Sequence, residues 1–226
     1  MVHVNILVEG QTEEQFVKLV LYPYLLSKHI TLVPIIISTK RLREGGKFKG
    51  GLTNSNFDNF IDDLTQLLRS TPHGYVTTFV DFYALPSRFP GYQERLGKRT
   101  QLEKVEFLEQ KLAEHLGSPT NFIPYIQLHE FEALLFSDKS GFENLVSPSD
   151  AKLEKLKAII DSYPNPEDIN EGAETAPSKR ILANYPGYNK VVEGNMLAIE
   201  IGMDKLMEKC GHFRAFIEKL ISLPKR

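Results

Sequence analysis

Four acidic residues lie at the ends of strands that the sequence predicts. Glu9 follows the first predicted strand, Asp81 the third and Glu130 the fourth, with Glu132 two residues further on. The carboxyl ends of parallel strands meet at one edge of a sheet, where ligands bind. Carboxylates gathered at such an edge repel one another unless a cation lies among them, and Mg²⁺ prefers oxygen ligands of this kind. The sequence therefore predicts a divalent cation, Mg²⁺ or Mn²⁺, held by Glu9, Asp81, Glu130 and Glu132.

The chemistry that such an ion supports is phosphodiester cleavage, because a divalent cation polarises the phosphate, activates water and stabilises the leaving oxygen. Glu9, Asp81 and Glu130 are the predicted catalytic residues. Glu9 would serve as a ligand or general base, and Asp81 and Glu130 as direct ligands. Glu132 would lie about 200° around a helix from Glu130 if both were helical, so Glu130 is preferred. The alternative is that each acid only caps a helix or a turn.

Three residues in the second half of the chain are candidates for phosphate binding. His129, beside Glu130, could hydrogen-bond a phosphate or orient a carboxylate, and a structural histidine is the alternative. Lys179 and Arg180 fall in the first turns of a helix predicted after Thr175. A helix N-terminus with nearby cations suits a phosphate, and a solvated helix face is the alternative.

A basic stretch from Lys40 to Gly51 is another candidate nucleic-acid contact. It carries five Lys and Arg residues against one acid, Glu44, and its glycines allow a ligand to approach the backbone closely. Lys47 and Lys49 are the predicted phosphate contacts, which would make nucleic-acid binding depend on salt. The stretch lacks the spacing of a P-loop, and a solvated surface loop is the alternative.

Strands and helices alternate in the first part of the chain, and helices alone follow. Apolar, β-branched runs predict strands at Val2–Val8, Thr31–Ile37, Tyr75–Val80 and Phe122–Leu128. Apolar residues at helical spacing predict helices from a capping box at Thr12 and at Asn56–Arg69, Thr100–Leu116, Glu130–Phe136, Ala151–Ser162, Tyr188–Ile201 and Phe213–Leu220. The alternation predicts an α/β fold with a mostly parallel sheet flanked by helices. The expected division is an α/β core at 1–140 and a helical extension packed on it at 141–226, with a single domain as the alternative.

The composition is that of an ordinary globular protein and excludes several classes of function. The chain has 226 residues and a formal net charge of −2, so any nucleic-acid surface must be a local patch. Its one cysteine, Cys210, excludes an intramolecular disulfide and a Cys-rich zinc site. No apolar run is long enough to span a bilayer, and the N-terminus does not resemble a secretory signal, so a cytoplasmic protein is expected. The serine-hydrolase elbow and the dinucleotide-binding glycine motif are both absent.

Several blocks of the sequence resemble a known family. Val8-Glu9-Gly10-Gln11-Thr12-Glu13 resembles the first motif of Toprim-like domains, and Asp81-Phe82-Tyr83 resembles their second motif. Together with these, three further blocks are similar to the Toprim-like family catalogued as domain of unknown function 4276. They are Phe89-Pro90-Gly91, His129-Glu130-Phe131-Glu132-Ala133-Leu134-Leu135 and Glu174-Thr175-Ala176-Pro177-Ser178-Lys179-Arg180-Ile181.

The resemblance implies a Toprim-type fold and a metal-dependent nuclease of prokaryotes that works with an ATPase partner in genome defence or DNA processing. In many Toprim domains the second motif is Asp-x-Asp, whereas Tyr83 stands here at the second acidic position. That departure leaves the metal one ligand short unless Glu130 or Glu132 supplies it. Two alternatives follow: a regulatory or scaffold subunit without catalysis, and a receiver-like phospho-acceptor domain, which would need a lysine after a fifth strand.

Overall fold

A parallel β-sheet lies at the centre of the protein, whose computed structural model describes residues 1–38, 51–169, 172 and 175–224. The strands are β1 (Val2–Val8), β2 (Ile30–Ile36), β3 (Tyr75–Asp81), β4 (Phe122–Ile123) and β5 (Ile126–Gln127). Their order is β2-β1-β3-β4, and β5 pairs with the carboxyl end of β3. Every pairing among these strands is parallel. The predicted α/β fold with a parallel sheet is therefore confirmed.

Helices flank this sheet and make up most of the second half of the chain. The α-helices are α1 (Gln11–Phe16), α2 (Tyr22–Leu26), α3 (Phe57–Ser70), α4 (Gln101–His115), α5 (Ser140–Leu145), α6 (Leu153–Ser162), α7 (Pro177–Asn184), α8 (Asn195–Lys209) and α9 (Gly211–Ile221). Short 3₁₀ helices lie at Phe82–Ala84, Glu94–Gly97, Phe131–Phe136 and Pro166–Asp168, and π-helical turns at Val17–Leu21 and Lys190–Gly194. None of these helices has both the length and the apolar character needed to cross a membrane.

The two central strands, β1 and β3, are buried on both faces. Successive side chains of a strand point to opposite faces, so each strand contributes to two apolar clusters. Ile6 and Phe79 belong to one cluster, whereas Leu7 and Val80 belong to the other. β3 is buried along its whole length, and β1 is buried on both faces only from Ile6 to Val8, where its apolar run is unbroken.

The second half of the chain completes the first of these clusters. Leu206 in α8 and Phe213 in α9 are buried in the same cluster as Phe16 of α1. The rings of Phe16 and Phe213 lie 6.1 Å apart, and the ring of Phe131 lies 5.0 Å from that of Phe16. Helices from 141–226 thus pack on α1 within the apolar cluster that covers one face of the sheet, while the predicted boundary at residue 140 stays a prediction.

Two local predictions are wrong. The single strand predicted at Phe122–Leu128 is divided into β4 and β5, because Pro124 has no N–H for the ladder. Thr78 bridges the gap, since its hydroxyl oxygen accepts from Tyr125 N at 2.9 Å and donates to Tyr125 O at 2.8 Å. The capping box predicted at Thr12 is also wrong: α1 begins at Gln11 after Gly10, without a side-chain cap.

Candidate functional site

Glu9 lies immediately after β1 and binds the backbone of two other segments. Its Oε1 accepts a hydrogen bond from Asp81 N at 2.7 Å, and its Oε2 accepts one from Leu52 N at 3.0 Å. Because β1 and β3 are adjacent and parallel, their carboxyl ends bring Glu9 and Asp81 together. Both oxygens of Glu9 are therefore engaged by buried backbone N–H groups.

Asp81 joins the end of β3 to the 3₁₀ helix that follows β5. Its Oδ1 accepts a hydrogen bond from Phe131 N at 3.0 Å. The chain reaches this helix through a turn at His129, whose φ is 63°, and His129 O accepts from Tyr83 N at 3.0 Å. These contacts fix the first turn of the helix, which carries Glu132 toward the same side as Asp81.

The ammonium group of Lys190 lies among three carboxylates. Its Nζ is 3.5 Å from Glu13 Oε1, 3.6 Å from Asp81 Oδ2 and 3.3 Å from Glu132 Oε2. All three carboxylate residues are buried, as is Glu9. We refer to Glu9, Glu13, Asp81, Glu132 and Lys190 as the acid–lysine cluster.

Burial dominates the electrostatics of this cluster. Burial, and then the neighbouring Glu13 carboxylate, raise the pKa of Glu9 to about 7. Burial likewise raises the pKa of Asp81 and of Glu132, although the Lys190 ammonium opposes both shifts. Burial alone would lower the pKa of Lys190, but Asp81, Glu132 and Glu13 raise it well above its usual value. Lys190 therefore stays charged, and four carboxyl groups share one positive charge.

Buried polar atoms without a hydrogen-bond partner occur in and beside the cluster. Within the part of the chain that the structure describes, these side-chain atoms are Glu132 Oε2, Tyr188 Oη and Asn195 Oδ1. Tyr188 and Asn195 flank the π-helical turn that begins with Lys190. A Cβ on Gly194 would lie 2.6 Å from Tyr188 Oη, so any larger residue at this position would displace the tyrosine hydroxyl. The polar groups around Lys190 are thus incompletely satisfied by the protein itself.

Glu130, predicted as a metal ligand, lies at the N-terminus of α7. Its Oε2 accepts a hydrogen bond from Ser178 N at 3.0 Å, where the helix N-terminus favours a negative charge. Glu132 rather than Glu130 contacts Lys190. The 3₁₀ helix begins after Glu130, which explains why the two side chains diverge.

The predicted phosphate-binding residues are dispersed. His129 is buried, and burial lowers its pKa. Lys179 is exposed on α7, whereas the Arg180 guanidinium donates to Thr175 O at 2.7 Å and to Tyr163 Oη at 3.0 Å. Lys47 and Lys49 lie outside the described residues, so their role stays a prediction.

Glu13 and Lys190 are members of the cluster that the sequence did not predict as site residues. Glu13 does have a signal in the sequence, because it lies in the first motif, four residues after Glu9. Lys190 is separated by more than a hundred residues from Asp81, and no spacing in the sequence relates the two. It reaches the cluster because α8, which follows its π-helical turn, packs on α1.

The donor chemistry of the cluster fits a divalent cation, but its present spacing fits an ammonium ion. Mg²⁺ takes oxygen ligands at about 2.0–2.1 Å, whereas the carboxylate oxygens lie 3.3–3.6 Å from Lys190 Nζ. Among residues 1–38, 51–169, 172 and 175–224, no three His, Cys, Asp or Glu side chains are placed to hold a metal as they stand. The surplus of carboxylates over the one ammonium, and the Glu132 Oε2 atom that, among the described residues, only this ammonium faces, are nevertheless features that a hard cation would satisfy.

Comparison with known families places the whole cluster in one matched region. The family described as Domain of unknown function (DUF4276) matches residues 8–221. The chain belongs to this family. No curated protein and no solved structure matches it. In this DUF4276 member the match runs from before Glu9 to beyond Lys190, so every residue of the acid–lysine cluster lies within the region that defines the family.

Proposed function

We propose that this DUF4276 protein cleaves phosphodiester bonds of nucleic acid with the help of Mg²⁺ or Mn²⁺, at the acid–lysine cluster. The observation that carries the proposal is the meeting of Glu9, Asp81 and Glu132 at the carboxyl edge of two adjacent parallel strands. This edge is where parallel α/β sheets bind ligands. Buried carboxylates cost stability, so their concentration at one point favours a functional reason for keeping them.

Glu13, Asp81 and Glu132 would hold the ion, because their oxygens already surround one cation, the ammonium of Lys190. The ion would supply Lewis-acid polarisation of the phosphate and a water of lowered pKa. Glu9 would position Asp81 through the hydrogen bond from Asp81 N. Its own pKa of about 7 also suits the transfer of a proton near neutral pH.

Tyr83 supplies a surface on which a base could stack. It lies two residues after Asp81, and its side chain is 46% exposed. Aromatic side chains stack on bases of single-stranded nucleic acid without regard to sequence. A tyrosine in this position would therefore hold the substrate strand beside Asp81 rather than bind the ion.

Substrate binding and partners extend the proposal. Lys47, Lys49 and Lys179 would contact the phosphate backbone, with His129 and Arg180 supporting the site from within. The family resemblance further suggests a cytoplasmic prokaryotic protein that acts with an ATPase partner in defence or DNA processing. Affinity that falls steeply with salt would support the phosphate contacts.

Replacement of Asp81 tests the catalytic proposal. Asp81→Asn keeps the size of the side chain and an oxygen to accept from Phe131 N, but removes the charge. Wild type, Asp81→Asn and the exposed control Glu154→Gln are incubated with single- and double-stranded DNA and RNA, in Mg²⁺, Mn²⁺ or EDTA. Each incubation is run with the protein alone and together with any ATPase that a neighbouring gene encodes. We expect metal-dependent cleavage that falls about 100-fold or more in Asp81→Asn and is unchanged in the control. Equal cleavage by all three proteins would assign the activity elsewhere.

A second candidate function is a regulatory or scaffold subunit that has the fold without the chemistry. Two features favour it: Tyr83 stands in place of an acid, and Lys190 already forms ion pairs with three of the carboxylates. It predicts that folded wild-type protein cuts none of these substrates under any condition, with or without the ATPase.

A further inference from the structure

We propose that Lys190 is an exchangeable counter-ion, which neutralises the acid–lysine cluster in the absence of a divalent cation and swings out when one binds. The proposal deepens the proposed function and rests on its metal-binding part. It adds a control step, because the site would pass between a lysine-closed state and a metal-loaded state. It also assigns to Lys190 a role that is neither catalytic nor simply structural.

Charge and position make the two cations alternatives. The Nζ atom lies 3.3–3.6 Å from an oxygen of each of Glu13, Asp81 and Glu132, so it occupies the space that an ion shared by these three residues would need. A divalent ion that drew these oxygens in to about 2 Å would leave no room for the ammonium. The two cations would also repel each other strongly in this buried setting.

Exposure differs between the lysine and the carboxylates. The Lys190 side chain is 37% exposed, whereas the side chains of Glu13, Asp81 and Glu132 are 6%, 10% and 2% exposed. Part of the flexible four-carbon stem of Lys190 thus lies in solvent although its ammonium lies among the carboxylates. Rotation about its side-chain bonds would return it to water without any change in the backbone.

The backbone that carries Lys190 is held independently of its ammonium group. Asn189 Oδ1 accepts hydrogen bonds from Val191 N at 3.0 Å and Val192 N at 3.2 Å. Asn195 Nδ2 donates to Thr12 O at 3.2 Å, which ties the turn to α1. Release of the ammonium would therefore leave the turn in place.

Buried polar atoms in and beside the cluster lack hydrogen bonds, which independently indicates a missing ligand. Among the described residues, the buried Tyr188 Oη has no hydrogen-bond partner, and the only group that Glu132 Oε2 faces is the Lys190 ammonium at 3.3 Å, so release of Lys190 would leave this oxygen without a partner. Burial, and then the charge of Glu132, raise the pKa of Tyr188, and the Lys190 ammonium opposes this shift. A buried ion pair that served only stability would be expected to satisfy its remaining oxygens with hydrogen bonds. A hydrated divalent ion would provide both the charge and the donors that these atoms lack.

The test compares Lys190→Met with a matched control, Lys205→Met. Lys205 is an exposed lysine whose ion-pair partner, Glu208, is exposed as well. Mn²⁺ affinity is measured by calorimetry, and thermal unfolding is followed in EDTA and in millimolar Mn²⁺. An ammonium that occupies the site for nine-tenths of the time would weaken apparent Mn²⁺ binding about tenfold. We therefore expect Lys190→Met to bind Mn²⁺ about tenfold more tightly than wild type, and to unfold at a lower temperature in EDTA but not in Mn²⁺.

A measurement on wild-type protein guards against a variant that fails to fold. Acetic anhydride labels lysine amines, and mass spectrometry gives the labelling rate of each one. Mn²⁺ should raise the rate at Lys190 severalfold and leave that at Lys205 unchanged. An unaltered rate at Lys190, or Mn²⁺ affinity that is the same in Lys190→Met and wild type, would overturn the exchange.

These readouts separate the exchange from catalysis. Tighter Mn²⁺ binding by Lys190→Met together with no cleavage of any substrate would support the exchange and refute the nuclease. Metal-dependent cleavage that Asp81→Asn abolishes, together with unchanged Mn²⁺ affinity in Lys190→Met, would support the nuclease and refute the exchange.

Discussion

Glu9→Gln should change how the stability of this protein depends on pH. Glu9 is buried, and its pKa is raised from 4.5 to about 7, chiefly by that burial. A carboxyl group whose pKa is raised on folding contributes stability that is present in full below the unfolded value and is lost as pH rises through the folded value. At about 1.4 kcal/mol per pKa unit, the shift from 4.5 to about 7 corresponds to roughly 3 kcal/mol lost across that window.

Glutamine has nearly the shape of the protonated acid and cannot ionise, but its amide nitrogen cannot accept one of the two hydrogen bonds from Asp81 N and Leu52 N. This lost acceptor should cost about 1–3 kcal/mol at every pH. Between about pH 5 and pH 8 the variant should nevertheless gain roughly 2–3 kcal/mol relative to wild type, because only wild type has to ionise a buried carboxyl group. Urea unfolding between pH 5 and pH 8 in EDTA measures this difference, and Glu154→Gln, at an exposed position, serves as the control. Parallel pH profiles for wild type and Glu9→Gln would show that Glu9 ionises freely in the folded protein and that the reasoning from burial is wrong.

Further predictions concern neighbouring parts of the structure. The pKa of His212 is raised, because its hydrogen bond and ion pair with Glu109 outweigh burial. The stability that this imidazolium contributes is therefore complete below the pKa of histidine in the unfolded chain and is lost as pH rises through the pKa of the folded protein. His212→Gln should flatten the fall in melting temperature above about pH 6.5. Gly194→Ala places a Cβ 2.6 Å from a tyrosine hydroxyl and should cost about 1–3 kcal/mol in urea unfolding. Glu132→Gln should reduce metal-dependent cleavage far more than Glu130→Gln, which should mainly lower the melting temperature slightly through α7; the reverse order would return Glu130 to the role of ligand.

The parts of the fold that local sequence determines could be predicted. Apolar, β-branched runs identified β1 and β3, since both strands are buried on two faces. The helix predicted from Thr100 is α4, whose capping box joins Thr100 and Glu103. The same pattern at Thr12 does not form a capping box, because that side chain is buried and the N-cap is Gly10, two residues earlier. A capping pattern can be read from the sequence, but whether a residue is instead taken into the core depends on what packs against it.

The candidate site could be predicted only in part, for a similar reason. The carboxyl ends of adjacent parallel strands brought Glu9 and Asp81 to one edge, and topology alone was enough for that expectation. The choice between Glu130 and Glu132 depended on the residue at which a 3₁₀ helix begins. The position of Lys190 in the cluster depends on the packing of α8 against α1, a contact between distant parts of the chain that no local pattern encodes.

The two hydrogen bonds that Glu9 accepts make the amides of Asp81 and Leu52 natural reporters of the cluster. An amide proton that donates to a carboxylate changes its chemical shift when that carboxylate gains a proton or turns toward a cation. Asp81 lies in the sheet and Leu52 lies before α3, so one event at Glu9 would be visible at two separate points of the backbone. The occupancy of the cluster can therefore be followed residue by residue in solution by nitrogen–proton correlation spectra of the isotopically enriched protein, without a substrate.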